Sequence, residues 1–264
     1  MIPNFLAYQR ANKGLADSTI NNYRKDLRAF VEYAKPLGLR WSTITRHDID
    51  NYVSYMREQY QPRTIKRRVE VLRLLYTWAI HQGLLEQNPA QYIQTPKFNQ
   101  DLPKAADESA VLSYLESTPM NRTSMLVHVV VALILDTGMR IGEVLALDGR
   151  DIDTATQSIK VKGKGRKERI VYYGKNFEKY AHIVSQRQGR IFDTPDITLR
   201  FMMANEIPGC HPHAIRHLFA VRQLNRGMDL KTLGTLMGHK HVTTTEIYAQ
   251  LRNERTRAIY QSIN

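Results

Sequence analysis

The chain has 264 residues and a net charge of +13, because 38 lysines and arginines outnumber 25 aspartates and glutamates. No apolar run approaches the roughly 20 residues that span a bilayer, and the first residues lack the apolar core of a secretory signal. A single cysteine excludes an internal disulfide framework and a cysteine-rich zinc site. We therefore expect a soluble cytoplasmic protein. The basic balance, which extends over both halves of the chain, favours a polyanionic partner, with nucleic acid ahead of an anionic membrane, and we expect no membrane partner.

Amphipathic patterns predict three helices in the first hundred residues, at about 17–34, 45–56 and 62–83. Pro62 is an acceptable first-turn residue for the third of these helices. The start of this helix carries four cations, namely Arg63, Lys66, Arg67 and Arg68. On an isolated helix such a cluster is a solvated face. Because this chain is strongly basic, contact between the cluster and DNA phosphates is an equal alternative. We predict that these four residues bind DNA.

A linker is predicted at residues 93–105, which contain two prolines and show no periodicity. It separates a helical domain at 1–92 from a second domain at 106–264. In the second domain, residues 124–138 are apolar on almost all sides, which predicts a buried helix, and residues 158–173 predict a β-hairpin. Further helices are expected at about 176–188, 195–205, 212–226, 229–237 and 244–260. The predicted fold class is mainly α with a small antiparallel β-sheet.

Two polar residues follow the buried helix within the segment TGMRIGEVLAL, residues 137–147. Arg140 and Glu143 lie three residues apart, a spacing that usually gives a surface ion pair of little consequence. Their neighbours are apolar, so we expect both side chains to be held near the core and the guanidinium to be positioned.

A second polar stretch is HPHAIRHLFAVRQL, residues 211–224. With Pro212 in the first turn of a helix, His213 and Arg216 lie on one side of that helix. His213 and His217 also have the i, i+4 spacing of zinc ligands. No glutamate lies between them and no third ligand is evident, so we expect no metal.

The third stretch is GHKHVTTTEIYAQ, residues 238–250. Gly238 can end one helix, which places His239 at a turn, and Thr243 can begin the next helix. Considered alone, Tyr248 fits a half-buried helical position better than the position of a nucleophile. Its interpretation depends on the two other stretches.

Together these stretches resemble the tyrosine recombinase (phage integrase) family. The resemblance rests on the arginine of TGMRIGE, the histidine and arginine of HAIRH, the histidine of MGH and the tyrosine nine residues later. Their order and spacing match, and the resemblance extends over the whole second domain. The helical first domain resembles the core-binding (SAM-like) domain of the family. Departures such as Ile215 for a leucine and Gln250 for a histidine remove no catalytic group.

The resemblance assigns catalytic roles to six residues. They are Arg140, Lys164, His213, Arg216, His239 and the nucleophile Tyr248, with Glu143 in a supporting role. Lys164 lies 24 residues after Arg140, where Xer-type recombinases have their hairpin lysine, whereas spacing by itself does not select it among six cations of a solvated turn. Those six are Lys160, Lys162, Lys164, Arg166, Lys167 and Arg169. We predict additional DNA contacts at Lys162, Arg166 and Lys167.

The implied reaction breaks and reseals a DNA strand without a metal, ATP or any other cofactor. Two arginines can grip the non-bridging oxygens of a phosphodiester and stay charged at any physiological pH. The tyrosine hydroxyl attacks the phosphorus to form a 3′-phosphotyrosyl intermediate, while the histidines accept its proton or bind the phosphate. The lysine protonates the departing 5′ oxygen. The intermediate retains the energy of the ester, so religation to another 5′-hydroxyl needs no external source.

The expected function is site-specific recombination, in integration, excision or dimer resolution. The resemblance implies double-stranded DNA as the substrate, four protomers on two sites, and a segment after Tyr248 that docks on a neighbouring protomer or packs in cis. A second recombinase or an accessory protein is a further expected partner. Two alternatives stay open, namely a type IB topoisomerase-like enzyme that reseals the original strand and a non-catalytic DNA-binding protein on the same scaffold. The Xer-like spacing and the complete catalytic set favour the recombinase.

Overall fold

The computed structural model describes residues 1–97, 104–163, 168–238 and 261, and the chain separates into two compact units, Met1–Gln100 and Asp101–Asn264. Within the described ranges, no helix is both long and apolar enough to cross a bilayer. Each unit encloses a hydrophobic core of its own, which is the defining property of a domain.

Four helices form the described part of the first unit: α1 (Ile2–Lys13), α2 (Asp17–Ala34), α3 (Arg46–Arg57) and α4 (Pro62–His81). The three predicted helices are present as α2, α3 and α4, with ends within two residues of the prediction. The sequence does not predict α1, because its apolar residues form no regular stripe, although Phe5 and Leu6 are buried. In the core, Phe30 packs against Tyr52 and Trp41 with ring centres 4.9 and 5.5 Å apart, so aromatic burial is a large part of its stabilisation.

The described part of the second unit contains seven α-helices and a small sheet. The helices are α5 (Glu108–Glu116), α6 (Arg122–Thr137), α7 (Ile141–Val144), α8 (Lys175–Ser185), α9 (Asp196–Glu206), α10 (Pro212–Asn225) and α11 (Leu230–Met237), and the strands are β1 (Ile152–Asp153), β2 (Ser158–Lys162) and β3 (Glu168–Tyr172). The strands are antiparallel in the order β1–β2–β3, with Ile159 opposite Val171. The predicted fold class, mainly α with a small antiparallel sheet, is confirmed.

Most elements of the second unit follow the sequence pattern. The predicted hairpin is present as β2 and β3, and four predicted helices correspond to α8, α9, α10 and α11 with ends within three residues. The fifth, at 244–260, lies outside the described residues. The sequence does not predict α5, α7 or β1, because nine, four and two residues carry little periodicity.

The apolar helix α6 forms the centre of the second core, as its sequence predicts. Its side chains from Val127 to Leu135 are all buried. The helix ends at Gly138, whose φ of 64° is left-handed, and a Cβ at this position would lie 2.3 Å from the Phe219 ring on α10. Glycine therefore allows the close approach of α6 to α10, which brings the residues that follow Gly138 near α10.

Candidate active site

Arg140 and Arg216, which are 76 residues apart in sequence, bind neighbouring carbonyl groups at one end of α11. Arg140 Nη2 donates to the Gly238 carbonyl at 3.0 Å, and Arg216 Nη2 donates to the Met237 carbonyl at 2.8 Å. Arg216 Nη1 also donates to the carbonyl of Gly138 at the end of α6. The structure therefore brings these two arginines of the predicted site together.

A third guanidinium binds the same end of α11. Arg169, on β3, donates from Nε to the Leu236 carbonyl at 2.8 Å. Three consecutive carbonyls, from Leu236 to Gly238, thus each accept a hydrogen bond from a different arginine. The last carbonyls of a helix have no partner within the helix and form the negative end of its dipole, so cations are stabilised there. The next residue in the sequence is His239.

Glu143 is the shared acceptor of two of these arginines. Its carboxylate accepts two hydrogen bonds from the Arg169 guanidinium, at 2.8 and 2.9 Å. It accepts two more from Arg140, at 2.8 Å from the backbone N–H and at 3.1 Å from Nη1. The Glu143 side chain is 9% exposed, and this burial opposes ionisation, but the hydrogen bonds and the two positive charges hold its pKa below the ordinary value. Glu143 therefore stays an anion that orients both arginines.

Arg140 and Arg216 differ in their exposure to solvent. Arg216 is 4% exposed and lies between the C-terminal ends of α6 and α11, so carbonyl groups of two helix ends stabilise its charge. The Arg140 side chain is 39% exposed. Among the described residues of this cluster, three guanidiniums accompany a single carboxylate, Glu143. The resulting excess of positive charge favours an anionic ligand.

The first turn of α10 positions His213 one turn ahead of Arg216. His211 caps this helix, because its Nδ1 accepts a hydrogen bond from a first-turn N–H at 3.1 Å, and Pro212 follows as the first helical residue. His213 is exposed overall. Desolvation of its ring and the positive charges of Arg200 and Arg216 nevertheless hold its pKa below the ordinary value. The ring is therefore neutral at neutral pH and can accept a proton.

Two further titratable groups of this region, the His217 ring and the Cys210 thiol, are held in their uncharged forms at neutral pH. Partial burial, together with nearby positive charges, lowers the pKa of His217 to about 4. Cys210 is buried before α10, and burial raises the pKa of its thiol to about 11. Across the described ranges, no three His, Cys, Asp or Glu side chains are grouped so as to hold a metal ion.

Five predicted site residues lie outside the described part of the chain. They are Lys164, Arg166 and Lys167 of the hairpin turn, His239, and the nucleophile Tyr248. Their roles stay predictions from the sequence. The same holds for the segment after Tyr248 and its docking in cis or in trans.

The four cations of α4 fall into two groups. Arg63 and Lys66 are exposed. Arg67 and Arg68 pair with the buried Asp26 carboxylate of α2, and the Arg68 guanidinium also lies 3.9 Å from the centre of an aromatic ring. The Arg68 side chain is only 13% exposed, so it contributes to the packing of α4 on α2. DNA contacts at all four residues stay predictions.

Lys162, at the end of β2, is the other predicted DNA-contact residue within the described ranges. Its Nζ lies 3.0 Å from an oxygen of Asp151, and the lysine side chain is exposed. The Asp151 side chain is mostly buried, so the lysine end of this pair is the part open to solvent, and a DNA contact at Lys162 stays a prediction.

Arg169 is a residue of this cluster that the sequence interpretation places in a solvated turn, and the structure corrects that placement. Side chains alternate along β3, so Arg169 shares a face with Val171, which is buried, whereas Ile170 and Tyr172 are exposed. The Arg169 side chain is 14% exposed. The available signal is the alternation itself, because an arginine at an inward position of a strand requires a buried partner.

Two family descriptions match the chain. Residues 2–83 match the phage integrase N-terminal SAM-like domain, and residues 104–200 and 196–255 match the phage integrase family. Tyrosine recombinase XerD of Oceanobacillus iheyensis is 28% identical, over 99% of this chain and 97% of the relative. Tyrosine recombinase XerC of Herpetosiphon aurantiacus is 29% identical, over 95% of this chain and 90% of the relative.

Solved structures of similar fold include complexes with DNA. The XerH site-specific recombinase bound to a palindromic difH substrate, in a post-cleavage complex, has a TM-score of 0.75 at 20% identity, over 99% of this chain and 85% of that one. A Tn1549 transposon integrase variant in complex with transposon right end DNA has a TM-score of 0.72 at 18% identity, over 98% of this chain and 99% of that one. At such identities the likeness establishes the fold. The two family matches confirm the resemblance drawn from the motifs: the chain belongs to the phage integrase family of tyrosine recombinases.

Proposed function

We propose that this chain is a site-specific recombinase that cleaves and rejoins DNA strands through a 3′-phosphotyrosyl intermediate. The observation that carries the proposal is the convergence of Arg140 and Arg216 on adjacent carbonyls at the end of α11, directly before His239 in the sequence. Two positioned guanidiniums suit a phosphodiester, because each can bind its oxygens in a planar fork. Membership of the phage integrase family supports the same reaction.

The two arginines bind the scissile phosphate. Arg216 is held from two sides by the carbonyls of Gly138 and Met237, so its position is set before DNA binds. Arg140 is more exposed, and its contacts with Glu143 and the end of α11 leave further N–H donors for a phosphate oxygen. Negative charge on the phosphate oxygens increases in the transition state, where preorganised donors lower the barrier by about 3–4 kcal/mol each.

Tyr248 supplies the nucleophile, and His213 or His239 accepts its proton. A phenol has an unperturbed pKa of about 10, so it must lose its proton as it attacks the phosphorus. The lowered pKa of His213 suits an acceptor at neutral pH. As the bond from phosphorus to the tyrosine oxygen forms, the bond from phosphorus to the 5′ oxygen breaks, and Lys164 protonates that leaving oxygen. The same steps in reverse, with a different 5′-hydroxyl, join the exchanged strands.

Both domains bind the DNA in this proposal. Residues 1–92 form the core-binding domain, residues 93–105 the linker, and residues 106–264 the catalytic domain with its tail. The XerH and Tn1549 integrase complexes support a DNA partner. Four protomers on two sites complete the proposal, with the segment after Tyr248 either docked on a neighbouring protomer or packed in cis, and with a second recombinase or accessory protein as a further expected partner. The cytoplasmic location expected from the sequence stays a prediction.

A nicked duplex tests the reaction. Duplexes from the genomic neighbourhood of the protein carry a nick just beyond the cleavage position, so the short 5′-hydroxyl fragment diffuses away and the covalent adduct is trapped. We expect wild-type protein to form an adduct that survives denaturing electrophoresis and maps to Tyr248. Tyr248→Phe should bind the duplex with nearly unchanged affinity and form no adduct, because it lacks only the attacking oxygen.

The outcomes separate the alternatives. An adduct with Tyr248→Phe would show that the nucleophile is wrongly assigned. Specific binding by wild-type protein without any adduct favours the non-catalytic scaffold. Strand transfer between two sites supports recombination, whereas relaxation of supercoiled DNA without strand transfer favours the topoisomerase-like alternative.

A further inference from the structure

We propose that Arg169 is a positioning residue of the cleavage site, which sets the orientation of Arg140 through Glu143 and holds the end of α11. The inference rests on the proposed function. Arg169 lies outside the catalytic set that the family motifs assign, and its role emerges from its contacts.

The Arg169 guanidinium uses all three of its nitrogens to bind two other elements of the second unit. Nη1 and Nη2 bind the two oxygens of Glu143 on α7, at 2.9 and 2.8 Å. Nε binds the Leu236 carbonyl on α11 at 2.8 Å. The planar fork matches a carboxylate, and the third contact removes the remaining rotational freedom, which a lysine ammonium cannot reproduce. Arg169 therefore fastens β3 to both α7 and α11.

The backbone at the end of α11 also lies against this guanidinium. A Cβ on Gly238 would be 3.0 Å from Arg169 Nη1, so the guanidinium lies close to this residue, and the φ of 65° favours glycine here. Arg169 thus supports the end of α11 through its hydrogen bond to the Leu236 carbonyl and lies close to Gly238, the residue immediately before His239.

Arg169 controls Arg140 through the carboxylate that they share. Glu143 Oε1 accepts hydrogen bonds from Nη1 of both arginines. Without Arg169, the buried carboxylate loses two of its four hydrogen bonds and one of the two charges that keep it ionised. It then either draws the Arg140 guanidinium closer or takes up a proton, and in both cases Arg140 leaves the orientation in which it meets the phosphate.

This role predicts a slower chemical step with DNA binding retained. Single-turnover adduct formation on the nicked duplex, at saturating protein, separates the two quantities. Arg169→Gln should form the adduct about 10- to 100-fold more slowly, because two charge-assisted hydrogen bonds are lost, while the duplex Kd stays within about threefold. Arg169→Lys keeps the charge without the fork and should be intermediate.

A matched control is Lys160→Gln. Lys160 lies on the neighbouring strand β2 and pairs at the surface with Glu168, so the variant removes one positive charge from the same hairpin. It should leave both the rate and the affinity unchanged.

A double-variant cycle tests whether Arg169 acts through Glu143. In a Glu143→Gln background, Arg169→Gln should lose most of its effect on the rate. A full, undiminished effect in that background, or equal rates for wild type and Arg169→Gln, would overturn this inference alone. A wild-type protein that forms no adduct overturns the proposed function and this inference with it. If a thermal melt shows that Arg169→Gln does not fold, Arg169→Lys carries the test and must be slower than wild type.

Discussion

Each unit of the protein contains a cluster in which two arginines pair with one buried carboxyl group. One cluster joins two helices, whereas the other belongs to the candidate active site. They are the Asp26 cluster, formed by Asp26, Arg67 and Arg68, and the Glu143 cluster, formed by Glu143, Arg140 and Arg169. The first joins α2 to α4. The second lies at the end of α11, next to Arg216, where positive charge is in excess.

The pKa of the central carboxyl group separates the two clusters. Burial raises the pKa of Asp26, and the charges of Arg67 and Arg68 only partly offset this effect. Burial acts in the same direction on Glu143, but hydrogen bonds from Arg169 and Arg140 outweigh it, so its pKa is lowered. Both carboxyl groups lie beside two arginines, so the hydrogen bonds that Glu143 accepts account for the difference between the two pKa values.

The largest expected effect comes from the arginine next to the Glu143 cluster. Arg216→Lys should slow single-turnover adduct formation about 10²- to 10³-fold, because an ammonium group cannot hold both carbonyls and bind a phosphate in a planar fork. The rate on the nicked duplex and the duplex affinity are measured together, and the affinity should change little.

The first unit offers a matched control for this substitution. Arg73 also holds two backbone carbonyls, those of Ala90 and Ile93. Arg73→Lys should leave the rate of adduct formation within about twofold, since the loss of a contact within the first unit changes the stability of the protein and not the geometry of the site. Equal slowing in both variants would mean that the rate reports folding and that the clusters do not differ in function.

Neutralising each central carboxyl group gives the next effect. Glu143→Gln should slow adduct formation about 10-fold, because Arg140 and Arg169 lose charge-assisted hydrogen bonds. Asp26→Asn should leave the rate unchanged and should not lower the free energy of unfolding at neutral pH, because the raised pKa of Asp26 means that an uncharged group is more favourable than the carboxylate at this buried position. Urea unfolding at neutral pH measures the second quantity, and a slower rate in Asp26→Asn would remove the distinction between the clusters.

The smallest expected effect is on the pH dependence of stability, where the contributions of Glu143 and Asp26 to the free energy of unfolding should change in opposite directions. The lowered pKa of Glu143 means that its contribution to the free energy of unfolding is present above its ordinary pKa of 4.5 and is lost as the pH falls through the folded-state value. The raised pKa of Asp26 means that its contribution is present below the ordinary value of 3.8 and is lost as the pH rises through the folded-state value.

Urea unfolding from about pH 4 to about pH 6 compares wild type with Glu143→Gln and with Asp26→Asn. As the pH rises, the free energy of unfolding of wild type should increase relative to that of Glu143→Gln and should decrease relative to that of Asp26→Asn. Parallel changes in the two differences would contradict the opposite pKa assignments.

Local patterns predict most of the fold. The helices α2, α3 and α4, the central α6 and the hairpin follow from periodicity, because an element that buries one face or all faces leaves that pattern in its own sequence. The motifs also predict that Arg140, Glu143 and Arg216 belong to one site, which the contacts at the end of α11 support.

Arg169 shows where local patterns are insufficient. Its partners, Glu143 and Leu236, are 26 and 67 residues away in sequence, so no spacing rule connects them. Arg68 shows the converse, because an apparent member of a basic DNA-binding face has its guanidinium on a buried aspartate and an aromatic ring. In both cases another cation lies within two residues in the sequence, and the difference arises from contacts made after folding.

The sequence by itself determined the charge, most of the elements, the family and the side chains capable of the chemistry, because composition, periodicity and motif spacing are properties of the chain. Only the tertiary structure decided which arginines share a carboxylate, which carbonyls they hold and which of them stay open to solvent. A hydrogen bond depends on the distance and direction between its two groups, and folding sets both for groups that are far apart in the chain. For this reason one arginine, Arg68, contributes to the packing of α4 on α2, whereas another, Arg169, holds the end of α11.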